Sequence, residues 1–135
     1  MSTPISEPDV AAIKANLQKG VNLALEADWD GFLDLYTDDV VLLPPDQPVV
    51  EGKEAARKWI ASFPQVNAFD SKITKVDGRD DFAWVWGTYT MTAELEPRKQ
   101  ISMKGKWTGS YRKQADGSWL MASDIWNLDA PMTVE

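Results

Sequence analysis

Phe82-Ala83-Trp84-Val85-Trp86-Gly87-Thr88-Tyr89-Thr90-Met91-Thr92-Ala93-Glu94-Leu95-Glu96 is the stretch that decides the fold. Aromatic, β-branched and small residues alternate along it with a period of two, the pattern of a strand with two distinct faces. One face collects Phe82, Trp84, Trp86, Thr88, Thr90 and Thr92. The other collects Ala83, Val85, Gly87, Tyr89, Met91 and Ala93. A strand this long exceeds the usual length and is expected to curl. Gly87 provides a place for the bend, as do Gly105 and Gly109 further on.

The same period continues downstream. Gln100 to Gln114 sets Ile101, Met103, Gly105, Trp107, Gly109 and Tyr111 against Ser102, Lys104, Lys106, Thr108, Ser110 and Arg112. Asp116-Gly117 is a tight-turn signal. Ser118 to Leu128 then sets Trp119, Met121, Ser123, Ile125 and Asn127 against Leu120, Ala122, Asp124, Trp126 and Leu128. Upstream, Ser71 to Asp77 reads as a strand closed by an Asp77-Gly78 turn.

Before Pro64 the period lengthens toward four. Ser6 caps a helix that carries Pro8 in its first turn, with Asp9 answering the cap, and apolar positions recur from Val10 to Leu25. This helix is expected to reach about Ala27. Asp28 caps a second, short helix with Phe32, Leu33, Leu35 and Tyr36 as its buried stripe and Asp38-Asp39 at its end. Val40 to Leu43 is a short strand, and Pro44 to Pro48 is a loop because proline cannot pair inside a sheet. A third helix runs from Lys53 to Phe63, and Pro64 ends it. Helices first and a meander after give an α+β fold. A strongly curved antiparallel sheet forms a cone, and the N-terminal helices close it around one pocket.

At 135 residues, a single domain over 1–135 is the expectation. The net charge of −7 opposes contact with nucleic acid or an anionic membrane, both of which select clustered Lys and Arg. The chain holds no Cys and no His. Thiol chemistry, disulfides, a Ser-His-Asp triad and His-based metal sites are thereby excluded. A general base has to be Asp, Glu, Lys or Tyr. The N-terminal residues lack the basic start and apolar core of a signal peptide, and no apolar run approaches the ~20 residues of a membrane span. The cytoplasm is the expected compartment. No cofactor and no metal are expected: Asp38, Asp39 and Asp46 lack the spacing and glycine of a calcium loop.

Particular stretches carry a family resemblance. They are Asp28 to Val40 followed by Leu42-Leu43-Pro44-Pro45, then Gly52-Lys53-Glu54-Ala55 with Trp59, then Lys104 to Trp107, Asp116 to Trp119 and Ala122 to Asn127. The chain resembles the nuclear transport factor 2-like superfamily, in its SnoaL-like and ketosteroid-isomerase-like bacterial branch. The resemblance implies a cone-shaped (cystatin-like) fold with a pocket and a homodimer formed through the sheet. It leaves activity open, since one fold hosts many chemistries. In ketosteroid isomerases, the position of the general base falls here on Pro44, and that of the enolate-stabilising tyrosine near Gly20. Neither key group is present, which argues against a true ketosteroid isomerase.

Asp124 is the best candidate for chemistry. It sits mid-strand with Leu120, Ala122 and Trp126 on its expected face, and apolar neighbours raise a carboxyl toward a useful base. It also reads as an outward-facing Asp, or as one bonded to a neighbouring strand or helix. Lys106, a few ladder steps away, is a candidate partner for an anionic or carbonyl group, or else one half of an exposed salt bridge. Tyr36, Trp86, Trp107 and Trp126 are candidate pocket walls, and Asn127 a candidate orienting group. Large apolar groups on both faces of the long strand point to a homodimer. The expected partner is a small apolar organic molecule. Three functions fit: ligand binding without chemistry; acid–base catalysis on a small carbonyl or polyketide-like substrate by Asp124; or a dimerisation module with a filled cone.

Overall fold

The computed structural model describes residues 3–134. Helix α1 spans Glu7–Leu25, α2 Trp29–Leu33 and α3 Lys53–Ala61. The strands are β1 (Tyr36–Leu43), β2 (Val50–Glu51), β3 (Gln65–Arg79), β4 (Phe82–Glu96), β5 (Lys99–Lys113), β6 (Trp119–Leu128) and β7 (Thr133–Val134). They form one sheet in the order β2-β1-β6-β5-β4-β3, with β7 added to the start of β5. The helices pack on its concave face, as the α+β reading expects.

The long hairpins are antiparallel, but β1 runs parallel to β6. The pure meander expected from the sequence is corrected in this respect: β1 follows the first two helices and lies beside β6, far from it in sequence. α2 is also shorter than expected, because Tyr36 opens β1 and does not close the helix.

β3 differs most from its sequence reading. It starts directly after Pro64, and its turn lies at Asp80-Asp81, since Arg79 pairs with Phe82. Asp80 takes the left-handed conformation there, at φ 56°. Gly78 has another use. A Cβ on it would lie 2.5 Å from the Phe82 carbonyl oxygen, so glycine lets the strands close up. On β3's free edge the Ile5 amide donates to the Gly78 carbonyl at 3.1 Å. The alternation of β3 is obscured by extra residues at Asn67 and Thr74, each of which reverses the phase of the side chains after it.

The N-terminus of α1 is pinned in a way the capping pattern does not foresee. Ser6 does cap, accepting from the Asp9 amide at 3.2 Å. Asp9's carboxylate turns to the sheet, accepting from Trp119 Nε1 at 3.0 Å and pairing with Lys113 at 3.2 Å. The Trp119 bond, with help from Lys113 and Ser6, holds that carboxyl below the usual range. Further along α1, the Asn16 side-chain amide donates to the carbonyls of Trp119 (2.9 Å) and Leu35 (3.4 Å). Helix and sheet are thus joined by polar ties at Asp9 and Asn16.

Candidate functional site

Between the helices and the concave face lies a cavity of about 540 Å³. Leu17, Val21 and Ala24 of α1, with Phe32 and Leu35 after it, form one wall. The sheet supplies Phe69, Met91, Met103, Trp107 and Tyr111. Aliphatic and aromatic groups dominate, as in most small-molecule sites of this volume.

The floor is made by β6, and a bulge decides which side chains reach it. Met121 pairs with Tyr111 and Ser123 with Ser110, so Ala122 is an extra residue on β6. Alternation stops there and restarts in the opposite phase. Trp119 and Met121 point inward before the bulge, and Asp124, Trp126 and Leu128 line the cavity after it. The expected faces of this strand are corrected accordingly. Leu120 and Ala122 are not Asp124's companions. Ser123 and Ile125 lie outward, and Ile125 is 46% exposed.

Asp124 has Leu42 on one side, in the parallel β1 pairing, and Gly109 on the other. Part of the residue's surface stays accessible, but Oδ1 is sealed from solvent and has no hydrogen-bond partner. Burial without a compensating charge pushes its carboxyl up to about 7. Trp107 and Tyr111 flank Gly109 on the same face of β5, diagonal to Asp124. Trp107 Nε1 and the Tyr111 hydroxyl are also buried and unpartnered.

Tyr36, Tyr89 and Tyr111 gather around the carboxyl. Burial, then the Asp124 charge and Tyr111, raises Tyr36 well above the ordinary phenol range. Burial and Asp124 likewise raise Tyr111, and burial, Asp124 and Asp129 push Tyr89 up to about 12. All three phenols therefore stay neutral donors across physiological pH. Tyr89 uses its hydroxyl on the Asn127 carbonyl at 3.2 Å. Among the described residues, the cavity lining holds no Lys or Arg; its only carboxylates are Asp124 and, at the rim, Asp46.

The mouth is aromatic. Trp59 of α3 meets Trp126 edge to face with centroids 5.8 Å apart, and stacks obliquely on Phe63 at 5.5 Å. Gln47, in the proline loop, accepts from Trp59 Nε1 at 2.9 Å.

The fold brings Tyr36, Trp107, Trp126 and Asp124 together on the cavity surface. It does not bring Trp86, Lys106 or Asn127 there, and their assignment to the site is corrected. Trp86 pairs with Thr108 and stands on the convex face with the exposed Trp84. Lys106 lies opposite Asn127 on that face and pairs with Asp129 at 2.9 Å. Alternation defines two faces but not which one the helices cover. Tyr89 and Tyr111 are site residues that the sequence reading overlooked. Tyr111 shares the period-two face of Trp107, and that shared face was the available signal. Among the described residues, no group of three or more acidic side chains is placed to hold a metal ion, and no helix is long and apolar enough to cross a membrane.

A ketosteroid isomerase-like protein from Erwinia carotovora atroseptica SCRI1043 superposes with a TM-score of 0.82 at 24% identity, covering 93% of this chain and 100% of that one. A type 2 hexachlorocyclohexane dehydrochlorinase gives 0.78 at 14% identity, covering 96% and 93%. A cystatin-like fold protein from Burkholderia xenovorans LB400 gives 0.74 at 20% identity, covering 97% and 99%. At these identities the likeness is one of fold. A search of curated proteins finds no match. The SnoaL-like domain, however, matches residues 18–126, most of the length, and the chain belongs to that family.

Proposed function

We propose that this protein binds a small, largely apolar organic molecule in the cavity between its helices and sheet. One observation carries the reading: an aromatic-walled space of about 540 Å³ with a single deeply placed carboxylate, Asp124, on its floor. A space of this size is ample for a drug-sized ligand, and a lone unpaired carboxylate is a costly group to keep in an otherwise apolar wall. Native mass spectrometry of the purified protein is the direct test. A retained small molecule, or saturable uptake of an apolar aromatic probe blocked by Ile60→Trp, supports binding. Protein that takes up no aromatic probe at any soluble concentration removes it.

A second reading is acid–base catalysis at the same site. It is favoured by the Asp124 carboxyl, which burial places near neutrality, where a group can both accept and return a proton. The dehydrochlorinase among the fold relatives is an enzyme by name, which adds a precedent for chemistry on this architecture. On an active substrate, kcat/KM should rise through a pH near 7 and should fall by at least about a hundredfold in Asp124→Asn. An unchanged rate in that variant rules the assignment out.

We further propose that two copies join through the convex sheet face. Phe82 (42%), Trp84 (43%) and Ile125 (46%) are all substantially exposed there in the single chain, and neighbouring Trp86 and Leu120 extend the apolar area.

A further inference from the structure

We propose that Met132 is an oxidation site at the rim of the cavity: peroxide converts its thioether to the sulfoxide, and the sulfoxide weakens the cavity's hold on an apolar molecule. The effect on binding rests on the binding role proposed above and adds a chemical control over it.

Sulfur content and exposure single this residue out. The chain has five methionines and no cysteine, so thioethers are its only sulfur groups and no thiol intercepts an oxidant first. Every methionine after Met1 lines the cavity: Met91, Met103, Met121 and Met132. Met121 is 4% exposed, and its methyl group sits over Gly109, 2.7 Å from where a Cβ would stand. Met91 and Met103 face each other across the β4–β5 ladder and are partly buried. Met132 is 50% exposed and still belongs to the lining, so one side of it meets solvent and another the cavity.

The backbone that carries Met132 is lightly held. Leu128 pairs with Gly105 and Thr133 with Ser102, so residues 129–132 span the stretch that Met103 and Lys104 cover on β5. The extra length forms a loop. Its start is anchored, the Asp129 amide donating to the Lys104 carbonyl at 2.9 Å. Pro131 has no amide to donate. β7 then adds the pairs Thr133 with Ser102 and Val134 with Ile101, and both of its residues are exposed. So short and wet a ladder opens at little cost, and an oxidant reaches the Met132 sulfur without global unfolding.

The step balances with hydrogen peroxide as oxidant. A sulfur lone pair attacks one peroxide oxygen, and the S–O bond forms as the O–O bond breaks. The leaving hydroxide takes the proton from the transferred oxygen, which gives methionine sulfoxide and water. Sulfur is oxidised by the electron pair that reduces the peroxide. The sulfoxide oxygen is a strong acceptor, and the described lining holds no Lys or Arg to meet it. Keeping it in an apolar wall is costly, so the oxidised side chain turns to solvent and the cavity loses a wall there.

Peptide mass mapping of peroxide-treated protein is the first test. Met132 is expected to gain oxygen at least about tenfold faster than Met91, Met103 or Met121. Titration with N-phenylnaphthylamine, a neutral apolar fluorophore, is the second. Oxidised protein should bind it about fivefold more weakly than untreated protein, with an unchanged circular dichroism spectrum. Met132→Leu should bind like untreated protein before and after peroxide. Met132→Gln, which carries a polar group of similar length, should reproduce the oxidised state without peroxide. Equal oxidation rates at the four methionines, or oxidised protein that binds as tightly as untreated protein, would overturn the proposal while the binding role stands. Untreated protein that takes up no fluorophore removes the binding role itself, and the proposal with it.

Discussion

Asp124 and Gly109 face each other across the β5–β6 ladder, and neither position is intelligible without the other. The glycine lets β6 come close: a Cβ there would lie 2.5 Å from the Ser123 carbonyl oxygen and 2.7 Å from the Met121 methyl, and β1's Leu42 closes the carboxyl's other side. The result is a carboxylate taken out of water and given no partner. Such a group lowers the stability of the fold, and that cost makes it measurable.

The pH dependence follows from the proton count. Unfolded, Asp124 titrates at about 3.9; folded, burial puts it at about 7. Between these values the folded protein holds a proton that the unfolded chain has lost. Stability therefore falls as pH rises through this window and levels off above it, by roughly 4 kcal/mol at most. Asp124→Asn cannot ionise. Its melting temperature relative to the native protein should climb from pH 4 to pH 8. A difference that stays flat over that range would falsify the buried-carboxylate account.

Close approach of strands explains two glycines. A Cβ on Gly87 would lie 1.8 Å from the Lys72 carbonyl oxygen, and one on Gly105 would lie 1.9 Å from that of Asn127. Backbone has to move in both cases. Gly87→Ala and Gly105→Ala should each cost about 2–4 kcal/mol in urea denaturation, the range of severe overpacking. A loss below about 0.5 kcal/mol in both would mean the sheet is not bent as described.

Asn16 ties α1 to the sheet through two backbone carbonyls, at 2.9 Å to Trp119 and 3.4 Å to Leu35. Asn16→Ala removes a donor from the Trp119 carbonyl at a partly buried junction, while the Leu35 carbonyl keeps the Met121 amide at 2.9 Å. A destabilisation of about 1–3 kcal/mol is expected, read by thermal or chemical melting. Hydrogen exchange should quicken around Leu35 and Trp119 before it does in β4. Uniform acceleration across the chain would count against a local tie.

The convex face gives the fourth expectation. Trp84→Glu combined with Ile125→Glu places charges among Phe82, Trp86 and Leu120 while leaving the cavity lining untouched. Light scattering should register a change from dimer to monomer with an unchanged far-ultraviolet circular dichroism spectrum. Native protein already monomeric at tens of micromolar would end the dimer proposal.

Local chemistry wrote much of this fold into the sequence. The bounds of β4 match the alternating stretch from Phe82 to Glu96 at both ends, because side chains with two clear faces report their own period. Ser6 and Asp28 cap where capping residues should. Asp116-Gly117 turns where it should, with Gly117 at φ 90°. The absence of His and Cys by itself confines a general base to carboxylates, amines and phenols. Tertiary structure decided the rest. Period two says that Trp86 and Tyr89 oppose each other, but only the helices' position says that Tyr89 faces the cavity. Ala122 matters most. One unpaired residue inside β6 turns Asp124 to the same side as Met121, and a bulge depends on what the neighbouring strand offers, which alternation along a single strand does not encode.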